Sequence, residues 1–464
     1  MEIPELGVGL VYWPQLEPLL DSVRVIEVEP QSYWNRTGNP ESPYRVDDAA
    51  LEMLCSIPVP KIIHGVGFPV GGSEPPDPSH IPPLLEVAKV LEVPWASEHL
   101  SFNKVKGPSG TFNTGFLLPP LQTSRGVDAA VSNIAMMKSR LGMPFAFETA
   151  VNYLKPREGE MTDGAFAAKI AERADCGILL DLHNIWANEI NGRQPVEEFL
   201  SEIPLDRVWE VHLAGGFERA GFWLDAHSGG IPFPVIEIAK SVIPRLPNLG
   251  ALIFEILPFF VPSAGIDLVK KQIDVMQGLW DLREQRLPDA AHKPPERACF
   301  ESSVSPGEWE YALGSLAMGE EPGDELGKEL VRDEAVTLFR SLAGEFRAGM
   351  VVDALKLTSR LLLLGLGEAG FREILARFWR SAPPELFESS EAMAFGAYLK
   401  SENLGIPHLE EVVDFELAVI RSLITRKNQV AKFSHDPFPI LEALGMGRFP
   451  ESPQPGLYEL EVTA

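Results

Sequence analysis

Short apolar runs recur at regular intervals through the first part of the chain. They are LGVGL from Leu6, VRVIEVE from Val23, KIIHGVG from Lys61, VPWASEH from Val93, PFAFET from Pro144, GILLDLH from Gly177, VWEVHLAG from Val208 and ALIFEIL from Ala251. Between most of them lie segments with helical spacing, such as SHIPPLLEVAKVLE, GVDAAVSNIAMMKSRLG, DGAFAAKIAERA and FPVIEIAKSVIPRL. Each is long enough to cross back over a parallel sheet. Near-continuous apolar strands alternating with helices read as a parallel sheet covered on both faces. Eight such units over roughly 280 residues predict an α/β fold of the (β/α)8 TIM-barrel type.

The pattern then changes. REQRLPDAAHKPPERACFESSVSPGEWE is rich in Pro and charge and has no sustained period, which places a linker at residues 286–305 after a barrel of residues 1–285. Over residues 306–464 the periodicity is helical, in DELGKELVRDEAVTLFRSLAG, MVVDALKLTSRLLLLGLGEAGFREILARFW and HLEEVVDFELAVIRSLITRKN. The expectation is a smaller α-rich domain that ends in an irregular tail.

Composition narrows the function classes. The chain has 464 residues, 45% hydrophobic and 23% charged, the profile of a soluble globular protein of more than one domain. Its 66 acids against 40 Lys plus Arg, a formal charge of −26, argue against a nucleic-acid partner, since phosphate binding needs a basic surface. Cys55, Cys176 and Cys299 are scattered without CxxC spacing, so neither a disulfide framework nor a zinc knuckle is expected and a reducing cytoplasm is the expected location. MEIPELGVGL does not read as a secretory signal, and no apolar run reaches the roughly 20 residues of a membrane span.

The chemistry gathers where the apolar runs stop. In a barrel, catalytic groups come from the C-terminal ends of the strands and the loops beyond them. Here the runs end at His64, at Glu98 and His99, at Glu148 with Asn152 beyond, at Asp181 and His183, at His212 and at Glu255, while DAHS places Asp225 and His227 in the loop after the seventh run. Any one of these residues fits a turn or a helix cap. Five imidazoles and four carboxylates around one barrel mouth are costly to bury unless cations share the charge. Imidazole nitrogens with carboxylate oxygens and no thiolate suit Fe, Mn or Zn, and nine candidate ligands exceed one coordination sphere, which implies two or three ions. Rival glycine-rich readings are weaker. HGVGFPVGG lacks the dinucleotide fingerprint spacing, HLAGG reads either as a phosphate cradle or as close backbone packing near His212, and no G-x-S-x-G elbow is present.

In their order, HGVGFPVGG, SEHLSF, FETAVNYL, LLDLHNIWANEINGR, VHLAGG, DAHS and FEIL resemble the multinuclear non-haem iron-dependent oxidative enzymes, a family that includes the methanobactin-forming oxidase. The resemblance runs from about Gly7 to Leu257. It implies a (β/α)8 barrel with two or three irons in mixed Fe(II)/Fe(III) states and O2 as cosubstrate. Carried over motif by motif, the iron ligands are His64, His99, Glu148, Asp181, His183, His212, Asp225, His227 and Glu255, with Asn152 as a further one. Glu148, Asp181, His212 and Glu255 are the expected catalytic residues. The family acts on ribosomally made precursor peptides, often at Cys and sometimes at Asp or Asn, with a partner protein that presents the peptide. FREILARFWRSAPPELF and the helices after it resemble such partners, which implies an oxidase fused to its own partner. One departure is EVEPQSYW, where Gln31 and Ser32 stand at a place that otherwise carries an acid followed by Asn. The alternative is a divalent-metal isomerase or hydrolase of the sugar-isomerase-like barrel type, in which such clusters hold Lewis-acidic ions.

Overall fold

A computed structural model describes residues 3–285, 302–402, 404–451 and 453–463. All eight apolar runs are strands, β1 (Gly7–Val11), β2 (Val25–Val28), β3 (Lys61–Gly65), β4 (Ala96–His99), β5 (Phe145–Glu148), β6 (Gly177–Asp181), β7 (Val208–Ala214) and β8 (Ala251–Glu255). They form one closed parallel barrel in sequential order, and β1 meets β8 with Gly7 opposite Ala251 and Leu10 opposite Phe254. The strands are buried along nearly their whole length, as expected of a sheet with side chains packed inside and helices outside. Val11, Val25, Ile62, Trp95, Ala251 and Ile253 form one buried hydrophobic cluster in it.

The crossover helices begin and end where local chemistry dictates. Asp47 caps the helix Asp48–Ser56 by accepting from the Ala49 and Ala50 amides, and Thr123 caps Ser124–Leu141 by accepting from Gly126 N–H. Ser124–Leu141 stops at Gly142, which takes a left-handed φ of 65° that an ordinary side chain disfavours. An antiparallel hairpin follows the seventh strand, pairing Phe217–Arg219 with Phe222–Leu224.

The chain divides into two compact units, and the division differs from the boundaries read in the sequence. The first unit holds Met1–Trp34, Val46–Pro108 and Leu117–Phe339, and the second holds Asn35–Arg45, Ser109–Phe116 and Arg340–Ala464. The expected linker lies outside the described residues except for 302–305, where Ser305 opens the helix Pro306–Ala317 in a capping box with Glu308. That helix belongs to the barrel unit because its polar groups are spent there. Glu310 accepts from Ser73 N–H at 2.6 Å, the Trp309 indole donates to Pro119 O at 3.0 Å, and further on Asp333 accepts from Lys155 N–H at 2.9 Å.

The second unit is α-rich, built from Lys356–Ser381, Glu388–Ser401, Leu409–Thr425 and Pro437–Gly445 around a core that includes Leu361, Phe378, Phe395, Val412 and Leu417. Its tail corrects the expectation of irregular structure: Gln429–His435 pairs antiparallel with Pro455–Val462, burying Ala431 and Phe433 on the inner face. Inside this unit the buried Arg347 guanidinium donates to Glu391 at 2.7 Å and to the carbonyls of Ala382 and Pro383 at 3.2 and 3.3 Å.

Candidate metal centre

The strand ends bring most of the nominated residues together. His64 at the end of β3 and His99 at the end of β4 both direct Nε2 at Glu148 Oε2, each at 3.1 Å. Their other ring nitrogens are fixed from behind, His64 Nδ1 by Ser97 Oγ at 2.8 Å and His99 Nδ1 by Gly65 O at 3.1 Å. Across the barrel, His212 Nδ1 lies 3.1 Å from Glu255 Oε2, His227 Nδ1 lies 3.1 Å from Glu255 Oε1, and His227 Nε2 lies 2.8 Å from Asp225 Oδ1. His227 takes a left-handed φ of 47°, strained backbone of a kind concentrated at functional sites.

Asp181 serves two purposes. One oxygen caps the helix Leu182–Ile190 by accepting from Asn184 N–H at 2.8 Å, and Asp181 N–H is held by Thr149 Oγ1 at 3.0 Å. The other oxygen, Oδ2, has no hydrogen-bond partner. Three overlapping triads of the nominated residues result: His64, His99 and Glu148; Glu148, Asp181 and His212; and Asp181, His227 and Glu255, with the potential ligand atoms in each within 4.8 Å of one another. Glu148 and Asp181 each belong to two triads, as a carboxylate with two oxygens can.

The remaining nominated residues stand differently. His183 accepts the Trp223 indole N–H at Nε2, 2.9 Å away, and presents Nδ1 to Asp225 Oδ1 at 3.2 Å. The indole only donates, so in neutral His183 the proton lies on Nδ1. Trp223 is itself fixed, by reciprocal backbone bonds to the Asn191 amide at 2.8 and 2.9 Å and by the Trp186 ring at 4.9 Å. Asn152 stands apart from the triads, because its side-chain oxygen accepts from Leu154 N–H at 3.0 Å in a local turn. Asn184 instead directs an amide N–H at Glu148 Oε1, 3.4 Å away, and leaves its own Oδ1 unpartnered.

Four acids at the centre were not nominated as ligands. Glu27 and Glu210 lie in mid-strand, fully buried, with Glu27 Oε2 3.2 Å and Glu210 Oε1 3.6 Å from His212 Nε2. Glu210 also accepts from the Trp95 indole at 2.9 Å. Glu98 braces the β3–β4 side, accepting from the Phe68 and His99 amides at 3.1 and 2.9 Å. Glu29, just past β2, feels burial first and then the Glu255 charge, which push its carboxyl up to about 7. The available signal was an acid inside an otherwise apolar run, in VRVIEVE and VWEVH, in phase with the inward-facing His212.

The electrostatics of this cluster call for cations. Burial alone would lower His99, yet the Glu148, Glu98 and Glu255 carboxylates outweigh it and lift the imidazole to about 10. Burial likewise would raise Glu148, but His99, His64 and His212 bring it down to about 2. Asp181 is pushed well up, by burial and then by Asp225, Glu148 and Glu255. The same negative field that draws protons onto the imidazoles would favour metal ions in their place. The hydrogen-bond geometry agrees. Glu148 Oε2, Asp181 Oδ2, Asn184 Oδ1, Asp225 Oδ1 and His227 Nε2 are all buried without a properly directed partner, although several lie near one another. Lone pairs converging without a hydrogen between them are costly orphans in a dry interior and are the arrangement of ligands around ions. The residues therefore fit a multinuclear metal site.

Close packing secures its rim. A Cβ on Gly216, in the HLAGG turn, would fall 2.2 Å from Leu224 O and 2.8 Å from both His183 Nε2 and Trp223 Nε1, so the second glycine of that turn admits the His183–Trp223 pair.

Comparison with known proteins places these features in a family. Residues 6–256 match the family model described as RiPP precursor modification enzyme MbnB/TglH/ChrH. A UPF0276 protein of Streptomyces avermitilis is 32% identical over 193 residues, 41% of this chain and 40% of its own length, so this chain spans well under half of that relative. A UPF0276 protein of Caulobacter vibrioides is 28% identical over 236 residues, 51% of this chain and 79% of its own length. Among solved structures, a D-allulose 3-epimerase from Methylomonas sp. aligns with 62% of this chain and 98% of its own at 12% identity and a TM-score of 0.38. By the match over more than half of its 464 residues, the chain belongs to the MbnB/TglH/ChrH family of RiPP precursor modification enzymes, the multinuclear non-haem iron-dependent oxidative family that its motifs resemble.

Proposed function

We propose that the chain oxidatively modifies a side chain, most readily Cys and alternatively Asp or Asn, of a ribosomally made precursor peptide, using O2 and two or three iron ions. The observation that carries this reading is the set of three overlapping triads with unpartnered ligand atoms, in a family that modifies such precursors. In it His64, His99 and Glu148 would hold one ion, Asp181, His227 and Glu255 another, and Glu148, Asp181 and His212 could hold a further one. Bound iron would supply the one-electron chemistry needed to activate O2. The chain's own residues do the rest. Ser97 and Gly65 O orient the two imidazoles of β3 and β4, Asn184 steadies Glu148, and Glu27 with Glu210 hold His212 against Glu255. Asp225 and Trp223 fix His183 at the rim.

The second unit is the partner in this proposal, capturing the peptide so that a weakly bound substrate is held at high effective concentration. Its exposed Val430, Phe438 and Leu457 offer apolar surface for that purpose. No helix among the described residues is long and apolar enough to cross a membrane, consistent with a peptide substrate met in solution. The test is direct. The full chain, reconstituted anaerobically with Fe(II), is mixed with short Cys-containing peptides encoded beside its gene, and product mass and O2 uptake are followed. A mass change confined to one residue, dependent on both Fe(II) and O2, is expected. Equal turnover with Zn2+ in the absence of O2 would overturn the oxidative reading in favour of Lewis-acid isomerase or hydrolase chemistry.

A further inference from the structure

A second cluster with metal-ligand character lies within the second unit. His408, Glu411 and His435 bring a ring nitrogen of each histidine and a carboxylate oxygen to within 4.8 Å of one another. His408 immediately precedes the helix Leu409–Thr425, Glu411 is in its first turn, and His435 ends the strand Gln429–His435. The two imidazoles meet edge to face with centroids 4.8 Å apart. His408 Nδ1 is 3.3 Å from Glu411 Oε2, and both side chains are largely shielded, with 10% and 18% of their surface exposed. Two ligands about 2.1 Å from a tetrahedral zinc stand roughly 3.4 Å apart, which is the spacing of this pair.

Hydrogen bonds tie the second imidazole to the carboxylate through Ser434. Glu411 Oε1 accepts from Ser434 N–H at 2.7 Å and from the Ser434 hydroxyl. That hydroxyl has a single proton, already given to the carboxylate, so its oxygen accepts from His435 Nδ1, 2.9 Å away. A histidine with one ring nitrogen braced in this way can bind a metal through the other. Burial would raise Glu411, but the Ser434 bonds and His408 bring it below its ordinary value. The positive φ of 66° at His408 is backbone strain that a bond from its imidazole would repay.

We propose that His408, Glu411 and His435 form a mononuclear Zn2+ site, with water in the fourth position, that clips the start of the helix Leu409–Thr425 to the end of the strand Gln429–His435. This site is separate from the barrel ligands and does not depend on the oxidative reading. The full chain, first loaded with Fe(II) without O2, is titrated with ZnCl2, desalted and assayed for both metals, beside His435→Ala and the nearly isosteric Glu411→Gln. The wild type is expected to retain one more zinc per chain than either variant, with iron content and far-UV circular dichroism unchanged. Equal zinc in all three would overturn the proposal. Should either variant fail to fold, anomalous scattering at the zinc edge from wild-type crystals decides: a peak within bonding distance of both imidazoles supports the site, and its absence refutes it.

Discussion

Gly216→Ala tests how far the barrel mouth depends on close packing. The added methyl would lie 2.2 Å from Leu224 O, where ordinary contact begins at 3.4 Å, so that carbonyl must retreat by about 1.2 Å (3.4 − 2.2). The same methyl lies 2.8 Å from both His183 Nε2 and Trp223 Nε1, atoms that are 2.9 Å from each other, so it enters their hydrogen bond from the side. Overpacking of this kind costs about 1–3 kcal/mol, and loss of a bond that orients a histidine beside a metal lowers metal affinity about 10- to 100-fold. The assay is Fe(II) retention under anaerobic competition with a graded chelator, run beside thermal unfolding. Gly278→Ala is the control, because a Cβ there meets nothing within 4 Å inside the helix Ile266–Asp281 and should stabilise slightly, by about 0.5–1 kcal/mol. Chelator resistance and unfolding temperature of Gly216→Ala both equal to wild type would refute the link from Gly216 through Trp223 and His183 to the site.

Three further outcomes are expected. Asp181→Ala removes a carboxylate that belongs to two triads and caps a helix; at least one metal per chain should be lost in elemental analysis and turnover abolished, and full metal content with normal turnover would count against the assignment. Arg347→Met leaves Glu391 buried without its cation and two carbonyls without donors, which should destabilise the second unit by about 3–5 kcal/mol, read as lost hydrogen-exchange protection over residues 340–464. Glu310, which burial pushes up to about 7 from 4.5, is more readily protonated in the folded state than in the unfolded one. Its penalty is absent below about 4.5, grows as pH rises and is complete above about 7, on the order of 3 kcal/mol for the 2.5 units (7 − 4.5); Glu310→Gln should flatten the fall in unfolding temperature across that window, and parallel curves for the two proteins would exclude it.

The barrel was legible because each strand is buried on both faces and so reads as an unbroken apolar run, and all eight runs became strands. The mouth was legible for the same reason, since polar residues ending such runs are conspicuous. Glu27 and Glu210 escaped notice because an acid in mid-strand looks like an outward-facing position until closure of the barrel turns it inward. Asn152 and Asn184 are indistinguishable in sequence, and only the local turn to Leu154 separates them. The terminal strands Gln429–His435 and Pro455–Val462 show two-residue alternation, but the helix Pro437–Gly445 between them hides their pairing from any local window. The helix Pro306–Ala317 follows the change in periodicity yet spends its Glu310 and Trp309 on Ser73 and Pro119, which no local window shows.

The second unit draws on chain made long before its main body. Arg36 bonds Glu385 across 349 positions, and Arg45 donates to Ile424 O across 379. During synthesis, Asn35–Arg45 leaves the ribosome 295 residues (340 − 45) ahead of Arg340, where the rest of its unit begins. At about 5–20 residues per second that is a delay of roughly 15–60 s. For that interval the barrel's early loops await their remaining core, and closing so long a loop makes this unit's assembly a late step. A nascent chain stalled anywhere before Arg340 therefore exposes, in Asn35–Arg45, surface that its own later residues would cover.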